Sequence, residues 1–296
     1  MSAHGEAIVR PSGARRVKDY GFRLALLACL ALAIGLLATL LIDTVLDGAG
    51  HLDWHFITSF TSISPDKAGI QAALWGTIWL MGVCAFFIVP VGVATAIYLE
   101  EYADETRWWN KLIELNIQNL AAVPSIVYGI LGLAFLVRGP LDLGQVVLAG
   151  GLTLGLLVLP MVIIAAREAL RAVPPSIREG SMALGATQWQ TIWRQVLPAA
   201  VPGIATGVIL ALSRAIGETA PLIVVGAATV ITFNPEGLDS QFTAMPIQIF
   251  EWISRASNDI NNYKPLAAAG ILLLILLLLA MNGVAIWLRN RFEQRW

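Results

Sequence analysis

Residues 176–198, SIREGSMALGATQWQTIWRQVLP, form a polar segment in an otherwise apolar chain. Two prolines precede the segment, and Ser176 and Glu179 then have the S-x-x-E spacing with which side chains satisfy free backbone N–H groups at a helix start. Gly185 is expected to end this first helix, since glycine readily adopts the left-handed conformation that closes helices. The segment therefore predicts a short helix that starts near Ser176 and stops at Gly185.

A second helix-start signal follows immediately. Thr187 and Gln190 repeat the spacing as T-x-x-Q, and apolar positions continue to Leu197 and Pro198, where the second helix is expected to stop. Together the two signals predict two short helices that meet at a glycine. We name residues 176–198 the elbow.

The composition of the whole chain is that of an integral membrane protein. Of its 296 residues, 57% are hydrophobic and 13% are charged, whereas about a quarter of the residues of soluble proteins are charged. The net charge of −1 argues against nucleic acid as a partner. Cys29 and Cys84 both lie within apolar runs, so we expect them to be packing residues rather than parts of a disulfide framework or a metal site.

Apolar runs predict an all-α polytopic membrane protein with six transmembrane helices, since about 20 residues are needed for each crossing. The first run follows a basic segment and is too long for the core of a signal peptide, so we expect it to be an uncleaved span. Residues 1–67 are predicted to hold the cytoplasmic N-terminus, this span and an external loop. Residues 68–296 are predicted to form the transmembrane domain, with residues 167–198 as its main cytoplasmic loop. The six spans cover residues 24–42, 68–99, 115–137, 143–166, 199–225 and 266–288.

Lysine and arginine predict which side of the membrane each loop occupies, because cytoplasmic loops hold the excess of these residues. With the N-terminus inside, fourteen of the 19 fall on the cytoplasmic side, four on the outer side, and Arg214 lies within the membrane. Both termini and the elbow are therefore expected in the cytoplasm.

Prolines occur at membrane depth in the second, third and fourth predicted spans, at Pro90, Pro124 and Pro160. Each removes a backbone hydrogen bond for which neighbouring groups must compensate, so the prolines predict kinked helices in a packed bundle. Two interpretations of these kinks are open: the fold merely tolerates them, or they take part in gating.

The fifth predicted span combines charge with small residues. Arg214 and Glu218 are one helical turn apart and can face the same way, and Pro221 cannot donate a hydrogen bond to the carbonyl of Gly217. Ionisable residues in the membrane cost about 2.5–3.5 kcal/mol each on insertion scales and by default mark a transport pathway; a structural salt bridge is the alternative. A ridge of small residues, on which another helix can approach closely, consists of Ala199, Gly203, Gly207, Ala211 and Ala215.

Two segments outside the spans also leave alternatives. His51, Asp53 and His55 have a spacing that could hold a metal, but no further strong ligand lies nearby, which favours a solvated external loop. We expect no metal and no cofactor. Residues 242–253, FTAMPIQIFEWI, predict a helix with Pro246 in its first turn, which lies in the outer interface or folds back into the bundle. Its predicted apolar side consists of Ile247, Phe250, Trp252 and Ile253.

The elbow resembles the EAA loop of permease subunits of binding-protein-dependent ABC importers, whose pattern runs from Glu-Ala-Ala through a glycine to Leu-Pro. Gly180 and Ser181 replace the two alanines, and Gln195 stands where an aliphatic residue is usual. In the family this element is the coupling helix that sits in a groove of the ATPase subunit. The resemblance therefore implies that the residues that couple to an ATPase are Glu179, Gly180, Ser181, Leu184, Gly185, Leu197 and Pro198.

Further motifs are similar to the phosphate-specific branch of the same family. They are IYLEEY at 97–102, PSIVYG at 124–129, SRAIGETAP at 213–221 and MPIQI at 245–249. The resemblance implies a permease subunit of an ATP-driven phosphate importer in a prokaryotic plasma membrane. Its implied partners are membrane lipid, a second related permease subunit, two copies of an ATPase subunit and an external phosphate-binding protein. The substrate pathway is expected to include Arg214, Glu218, Ser125 and Tyr128.

Two other functions are open on the sequence: a permease for another oxyanion, such as sulfate or molybdate, and a secondary transporter in which Glu218 carries protons. An enzyme is disfavoured, because no Ser/His/Asp, HExxH or paired-aspartate constellation lies in the spans. The ATP-binding pattern G-x-x-x-x-G-K-[ST] does not occur, so ATP hydrolysis is expected on a partner chain.

Overall fold

The computed structural model describes residues 13–104, 106–228, 230–255 and 262–292, and all regular structure in these ranges is helical. The all-α prediction is confirmed. Its α-helices are α1 (Gly13–Gly48), α2 (Trp54–Thr58), α3 (Gln71–Ile97), α4 (Trp108–Ala121), α5 (Ser125–Leu131), α6 (Val147–Arg171), α7 (Pro175–Ala183), α8 (Gln188–Thr191), α9 (Leu197–Ala215), α10 (Ala220–Val225), α11 (Met245–Ser254) and α12 (Lys264–Phe292). Short π-helical segments, Tyr98–Tyr102, Gly132–Val137 and Ile192–Val196, follow α3, α5 and α8.

Five helical segments in the described part of the chain are long and apolar enough to cross a membrane, and α4 with the extended α5 makes a sixth if this bent pair counts as one span. The predicted polytopic architecture is thereby confirmed. The predicted cytoplasmic ends of the chain, residues 1–12 and 293–296, lie outside the described residues. The five long segments are Lys18–His51, Gln71–Tyr102, Val147–Arg171, Gln188–Ala215 and Lys264–Arg291.

Small residues bring α6 and α9 into close contact at the centre of the bundle. A Cβ atom added at Gly203 would stand 2.7 Å from the Cβ of Ala169, and one added at Gly207 would stand 2.3 Å from the Cβ of Ala165. The two alanines that continue the ridge on α9 are buried. The predicted ridge is confirmed, and α6 is the helix that packs on it. On its other side α6 packs against α3, whose Leu80, Cys84 and Ile88 belong to the main apolar core.

The third predicted span is broken rather than merely kinked. The α4 helix ends at Ala121, and α5 starts at Ser125 at an angle of 109°. Pro124 explains the break, because it has no N–H and disfavours helical backbone at the residue before it. The Tyr128 hydroxyl donates a 2.8 Å hydrogen bond to the Leu120 carbonyl and so holds the two helices together across the break. By contrast, Pro90 and Pro160 lie inside continuous helices.

The α11 helix is folded into the bundle, which decides between the two predicted placements of this segment. The backbone N–H of Met245 donates a 2.9 Å hydrogen bond to the buried Thr77 hydroxyl of α3. Ile247 and Trp252 of the predicted apolar side are buried, but Phe250 and Ile253 are exposed. The predicted apolar face is therefore wrong in half of its members, because the neighbours of α11 cover a different stripe of the helix.

The α1 helix lies at the edge of the bundle with its apolar side chains exposed. It is joined to α12 at one end, where Gly48 lets the helix approach the Ala268 backbone and Lys264 forms a 2.8 Å ion pair with Asp47. In the loop that follows, the Asp53 side chain accepts a 2.7 Å hydrogen bond from the Phe56 N–H and so caps α2.

Candidate functional site

The turn of the elbow is closed by glycine. Gly185 has a φ of +87°, its N–H donates to the Met182 carbonyl at 2.9 Å, and the Ala186 N–H donates to the Ser181 carbonyl at 3.3 Å. This pair of bonds is the Schellman arrangement, in which a left-handed residue satisfies the last free carbonyls of a helix. The predicted stop of the first elbow helix at Gly185 is confirmed.

The two predicted helix starts of the elbow have different outcomes. The capping box of Thr187 and Gln190 is present, with both reciprocal hydrogen bonds. The predicted cap at Ser176 is wrong, because α7 already starts at Pro175 and has no side-chain cap. Proline suits the first helical position, since its φ is preset and its missing N–H would be free there anyway.

The second elbow helix does not stop at Pro198, and this prediction is also wrong. It continues through the π-helical segment Ile192–Val196 into α9, and the Leu197 N–H bonds to the Ile192 carbonyl five residues back. We attribute the wider turn to Pro198, which has no N–H and whose ring would crowd the carbonyl four residues earlier. The result is one continuous helical segment, Gln188–Ala215.

The tip of the elbow is apolar and exposed. The Leu184 side chain is 91% exposed, and Met182, Trp189 and Trp193 are also exposed. The Trp189 and Trp193 rings pack edge to face with their centroids 5.3 Å apart, which gives the surface a fixed shape. Large apolar side chains exposed on a short polar segment are typical of a surface that binds another protein.

One ion pair and several hydrogen bonds hold the elbow against α6 and the π-helical segment that follows α3. The Arg178 guanidinium donates to the Glu101 carboxylate (Nη2 to Oε1, 2.7 Å) and to the carbonyls of Val173 (2.7 Å) and Leu170 (2.9 Å). The Gln188 side chain donates a 2.6 Å hydrogen bond to the Glu101 carbonyl. Because both charges of the pair are mostly buried, removal of either one is expected to cost about 2 kcal/mol. Within the elbow, the hydroxyls of Ser181 and Thr191 lie 2.9 Å apart and join its two helices.

A set of ion pairs next to the elbow joins α4 and α6 to the π-helical segment that follows α3. Glu100 accepts hydrogen bonds from Arg167 Nε (3.4 Å) and from Arg171 Nε and Nη2 (3.0 and 3.1 Å). Arg167 Nη1 also donates to Glu114 at 2.9 Å. Sequence reasoning missed these contacts, although the paired glutamates after α3 and the arginines at the end of α6 have complementary charges.

A charged break lies at the other end of the continuous segment. The α9 helix ends at Ala215, and α10 starts only at Ala220. Arg214 Nε lies 3.4 Å from Glu218 Oε1, and Arg214 Nη1 lies 3.3 Å from the Met161 sulfur. The two charged side chains therefore face the same way, as predicted. The break in the helix that Pro221 predicts is present, and it extends over the four residues between α9 and α10.

The two motifs PSIVYG and SRAIGETAP meet at this break. A Cβ added at Gly129 of α5 would come within 2.7 Å of the Pro221 Cα of α10, so only glycine allows the two half-helices to pack this closely. Tyr128 is buried and close enough to Arg214 for its hydroxyl to interact electrostatically with the guanidinium charge. Ser125 is half-buried in the first turn of α5. Among the described residues, no hydrogen bond joins Ser125 or Tyr128 to the charge pair.

Comparisons with known proteins agree on one family. The family described as "Binding-protein-dependent transport system inner membrane component" matches residues 88–296. The phosphate transport system permease protein PstA 1 of Mycobacterium tuberculosis (strain CDC 1551 / Oshkosh) is 38% identical over 195 residues, which are 65% of this chain and 62% of that protein. The phosphate transport system permease protein PstA of Yersinia pestis is 32% identical over 278 residues, which are 92% of this chain and 90% of that protein.

A solved structure shares the fold. It is the crystal structure of a bacterial alginate ABC transporter in complex with an alginate pentasaccharide-bound periplasmic protein, and one of its chains matches with a TM-score of 0.67 at 17% identity, over 94% of this chain and 96% of that chain. The range matched by the family contains the elbow and the charged break. This chain therefore belongs to the binding-protein-dependent transport system inner membrane components, as a multi-pass membrane component of a transport system and not an enzyme.

Proposed function

We propose that this chain is the permease subunit of an ATP-driven phosphate importer, in which it forms half of the translocation pathway and couples to separate ATPase subunits. Two relatives are named as phosphate permeases, which supports the substrate. The main support for coupling between the ATPase and the pathway is the continuous helical segment Gln188–Ala215. This segment begins at the exposed elbow and ends at the charge pair. At 1.5 Å per residue this segment is about 40 Å long, so a displacement of the elbow reaches Arg214 through one rigid helix.

The charge pair is suited to a substrate pathway. The Arg214 side chain is 42% exposed and that of Glu218 is 19% exposed, and an arginine at membrane depth is costly unless it faces a polar cavity or another chain. Its planar guanidinium can donate two hydrogen bonds to phosphoryl oxygens. Glu218 neutralises Arg214 while the pathway is empty and prevents the anion from binding too tightly to leave. The 3.4 Å Nε to Oε1 distance is long for a charged hydrogen bond, so the pair is readily opened.

Ser125 and Tyr128 support the same pathway. Ser125 stands at the start of α5, where free N–H groups favour an anion. Tyr128 holds α5 at its angle to α4 through the Leu120 carbonyl. The proposed role of Ser125 is therefore to contact the substrate, and that of Tyr128 is to position the half-helix.

The elbow is the proposed coupling site. Leu184 is the most exposed apolar side chain at its tip and fits insertion into a groove of an ATPase. Glu179 and Gly180 lie exposed on the same short helix, Ser181 joins its two helices, and Gly185 sets the turn between them. Leu197 and Pro198 mark the joint at which the elbow passes into α9. Closure of the ATPase pair would move this unit together with α3, to which Arg178 and Glu101 attach it.

The proposed complex contains a second related permease subunit, two copies of the ATPase subunit and an external phosphate-binding protein. The distribution of lysine and arginine supports a cytoplasmic elbow and cytoplasmic termini. In this arrangement residues 68–296 are the permease domain, and residues 1–67 add the peripheral span α1 and its external loop.

ATP-dependent uptake of phosphate into vesicles that contain the assembled complex tests this proposal. Uptake should require ATP and should be greater for phosphate than for sulfate or molybdate. Preferential uptake of another oxyanion would show that phosphate is not the substrate. Uptake driven by a pH gradient without ATP would show that the protein is a proton-coupled transporter, with Glu218 as the proton carrier. Within this assay Arg214→Gln should abolish uptake. Arg255→Gln is its matched control, because Arg255, directly after α11, pairs with Glu251 at the same i,i+4 spacing and lies away from the charged break.

A further inference from the structure

Asn282 is a polar residue within an apolar helix. It lies on α12, and no other residue in the predicted span 266–288 has a hydroxyl, amide or charged side chain. The residue is half-buried. A polar group without a hydrogen bond is costly in an apolar environment, so an amide in a span is expected to bond to another helix.

Ser213 of α9 is the partner of Asn282. Its hydroxyl donates a 2.7 Å hydrogen bond to Asn282 Oδ1. A serine or threonine within a helix often donates to the carbonyl four residues earlier, as Thr206 does to the Pro202 carbonyl. Among the described residues the Ser213 hydroxyl bonds only to Asn282, so this hydrogen bond is directed to the neighbouring helix.

A second polar contact joins the same two helices. Arg289 Nη1 of α12 lies 3.4 Å from Thr206 Oγ1 of α9. Positions 206 and 213 on α9, and positions 282 and 289 on α12, are each two helical turns apart, so the contacts lie on one face of each helix and in antiparallel order. The ridge with which α9 packs on α6 consists of glycine and alanine, whose side chains form no hydrogen bonds. The two polar contacts with α12 therefore give α9 a defined rotation about its axis.

Arg214 follows Ser213 directly and has only long contacts of its own. Its Nε lies 3.4 Å from Glu218 Oε1, and its Nη1 lies 3.3 Å from the sulfur of Met161, which is a weak acceptor. The α9 helix ends one residue later, so no further helical turn holds this end in place. The 2.7 Å bond to Asn282 is the shortest of these three side-chain contacts.

We propose that Asn282 is a positioning residue of the translocation pathway. By holding Ser213 it fixes the rotation of the last turn of α9, and with it the direction in which Arg214 faces. The consequence for phosphate rests on the proposed function of Arg214, whereas the orientation of position 214 does not. In this arrangement α12 takes part in substrate binding without contacting the substrate.

The first test measures the orientation of position 214 without any transport. A cysteine is introduced by Arg214→Cys in the full chain in nanodiscs, and its rate of modification by a charged methanethiosulfonate reagent is measured. Cys29 is exposed and is removed by Cys29→Ala, whereas Cys84 is buried and can stay. Ser213→Ala and Asn282→Ala should each change the rate constant by about threefold or more, since an interhelical hydrogen bond in a membrane is worth about this factor on average. The double variant should match either single variant, because both changes remove the same bond.

The second test measures ATP-dependent phosphate uptake by the assembled complex with Arg214 in place. Ser213→Ala should raise the KM for phosphate about threefold at an unchanged maximal rate per complex, because fewer complexes have Arg214 directed at the anion. Ser213→Thr keeps the hydroxyl and should retain the wild-type KM. A purely structural contact would instead lower the amount of assembled complex and leave the KM unchanged.

Asn116→Ala is the matched control for Asn282→Ala. Asn116 also lies in a predicted span, but its Nδ2 donates only to the Leu112 carbonyl of its own helix, at 2.7 Å. Labelling rates in Ser213→Ala and Asn282→Ala that equal the rate in this control would overturn the proposal, as would changed rates together with an unchanged KM in an active complex. If the wild-type complex takes up no phosphate, the proposed function fails, and the labelling rates alone decide whether Asn282 positions residue 214.

Discussion

Substitution of Gly185 by valine tests whether the shape of the elbow controls attachment of the ATPase. Gly185 has a φ of +87°, and a Cβ added there would meet no atom within 4 Å. Valine would therefore fit in space, and the cost arises from the backbone conformation alone. We expect this change to open the turn of the elbow while the membrane-spanning helices stay intact.

The size of the effect follows from the left-handed conformation. Such a conformation costs an L-residue about 1–2 kcal/mol, and a β-branched side chain falls at or above the upper end of that range. The chain can escape this strain only by giving up the bonds from Gly185 to Met182 and from Ala186 to Ser181, which hold the turn. If the ATPase binds only the closed turn, 2 kcal/mol weakens its affinity by up to about 30-fold, the full loss occurring when the turn of the variant is mostly open.

The assay is titration of the purified ATPase subunit onto the complex in nanodiscs, with ATP-dependent phosphate uptake measured in parallel. Gly144→Val is the matched control, because Gly144 also has a positive φ, +79°, with open space around it, but lies outside the elbow. Both variants should lose similar stability, and only Gly185→Val should lose affinity for the ATPase. Wild-type affinity and uptake in Gly185→Val would refute the proposed role of the turn.

Three further predictions concern the charge pair, the topology and the attachment of the elbow. Arg214→Gln should abolish phosphate uptake at equal amounts of assembled complex, and Arg214→Lys should restore only part of it because lysine lacks the planar fork; uptake at the wild-type rate in Arg214→Gln would reduce the pair to a structural salt bridge. A cysteine at Ser181 should not react with an impermeant reagent added outside intact cells, and rapid labelling would reverse the proposed orientation. Glu101→Gln and Arg178→Gln should each destabilise the elbow by about 2 kcal/mol. The double variant should be little worse than either single variant, and fully additive losses in thermal unfolding would show that the two side chains act independently.

Local features of the sequence predicted much of the architecture. The apolar runs identified the spans, the capping box at Thr187 and Gln190 is present, and Gly185 closes the first elbow helix. The small-residue ridge of α9 also packs as expected, here against α6. Each of these features lies within one helix or one turn, so the types and spacing of neighbouring residues are enough to predict it.

Other features depend on partners far along the chain. Arg178 binds Glu101, 77 residues away. Gly129 packs on Pro221, and Thr77 binds the backbone of Met245. No periodicity in one segment could reveal which distant segment it would meet.

The two wrong predictions in the elbow have local causes. The signals at Ser176 and Pro198 were correct as local preferences, but Pro175 starts the first helix earlier, and a π-helical turn carries the second one past Pro198. The burial of α11, by contrast, was decided when neighbouring helices packed against it. A helix in a bundle minimises the free energy of all its contacts together, so tertiary packing overrides a local signal that is worth about 1 kcal/mol.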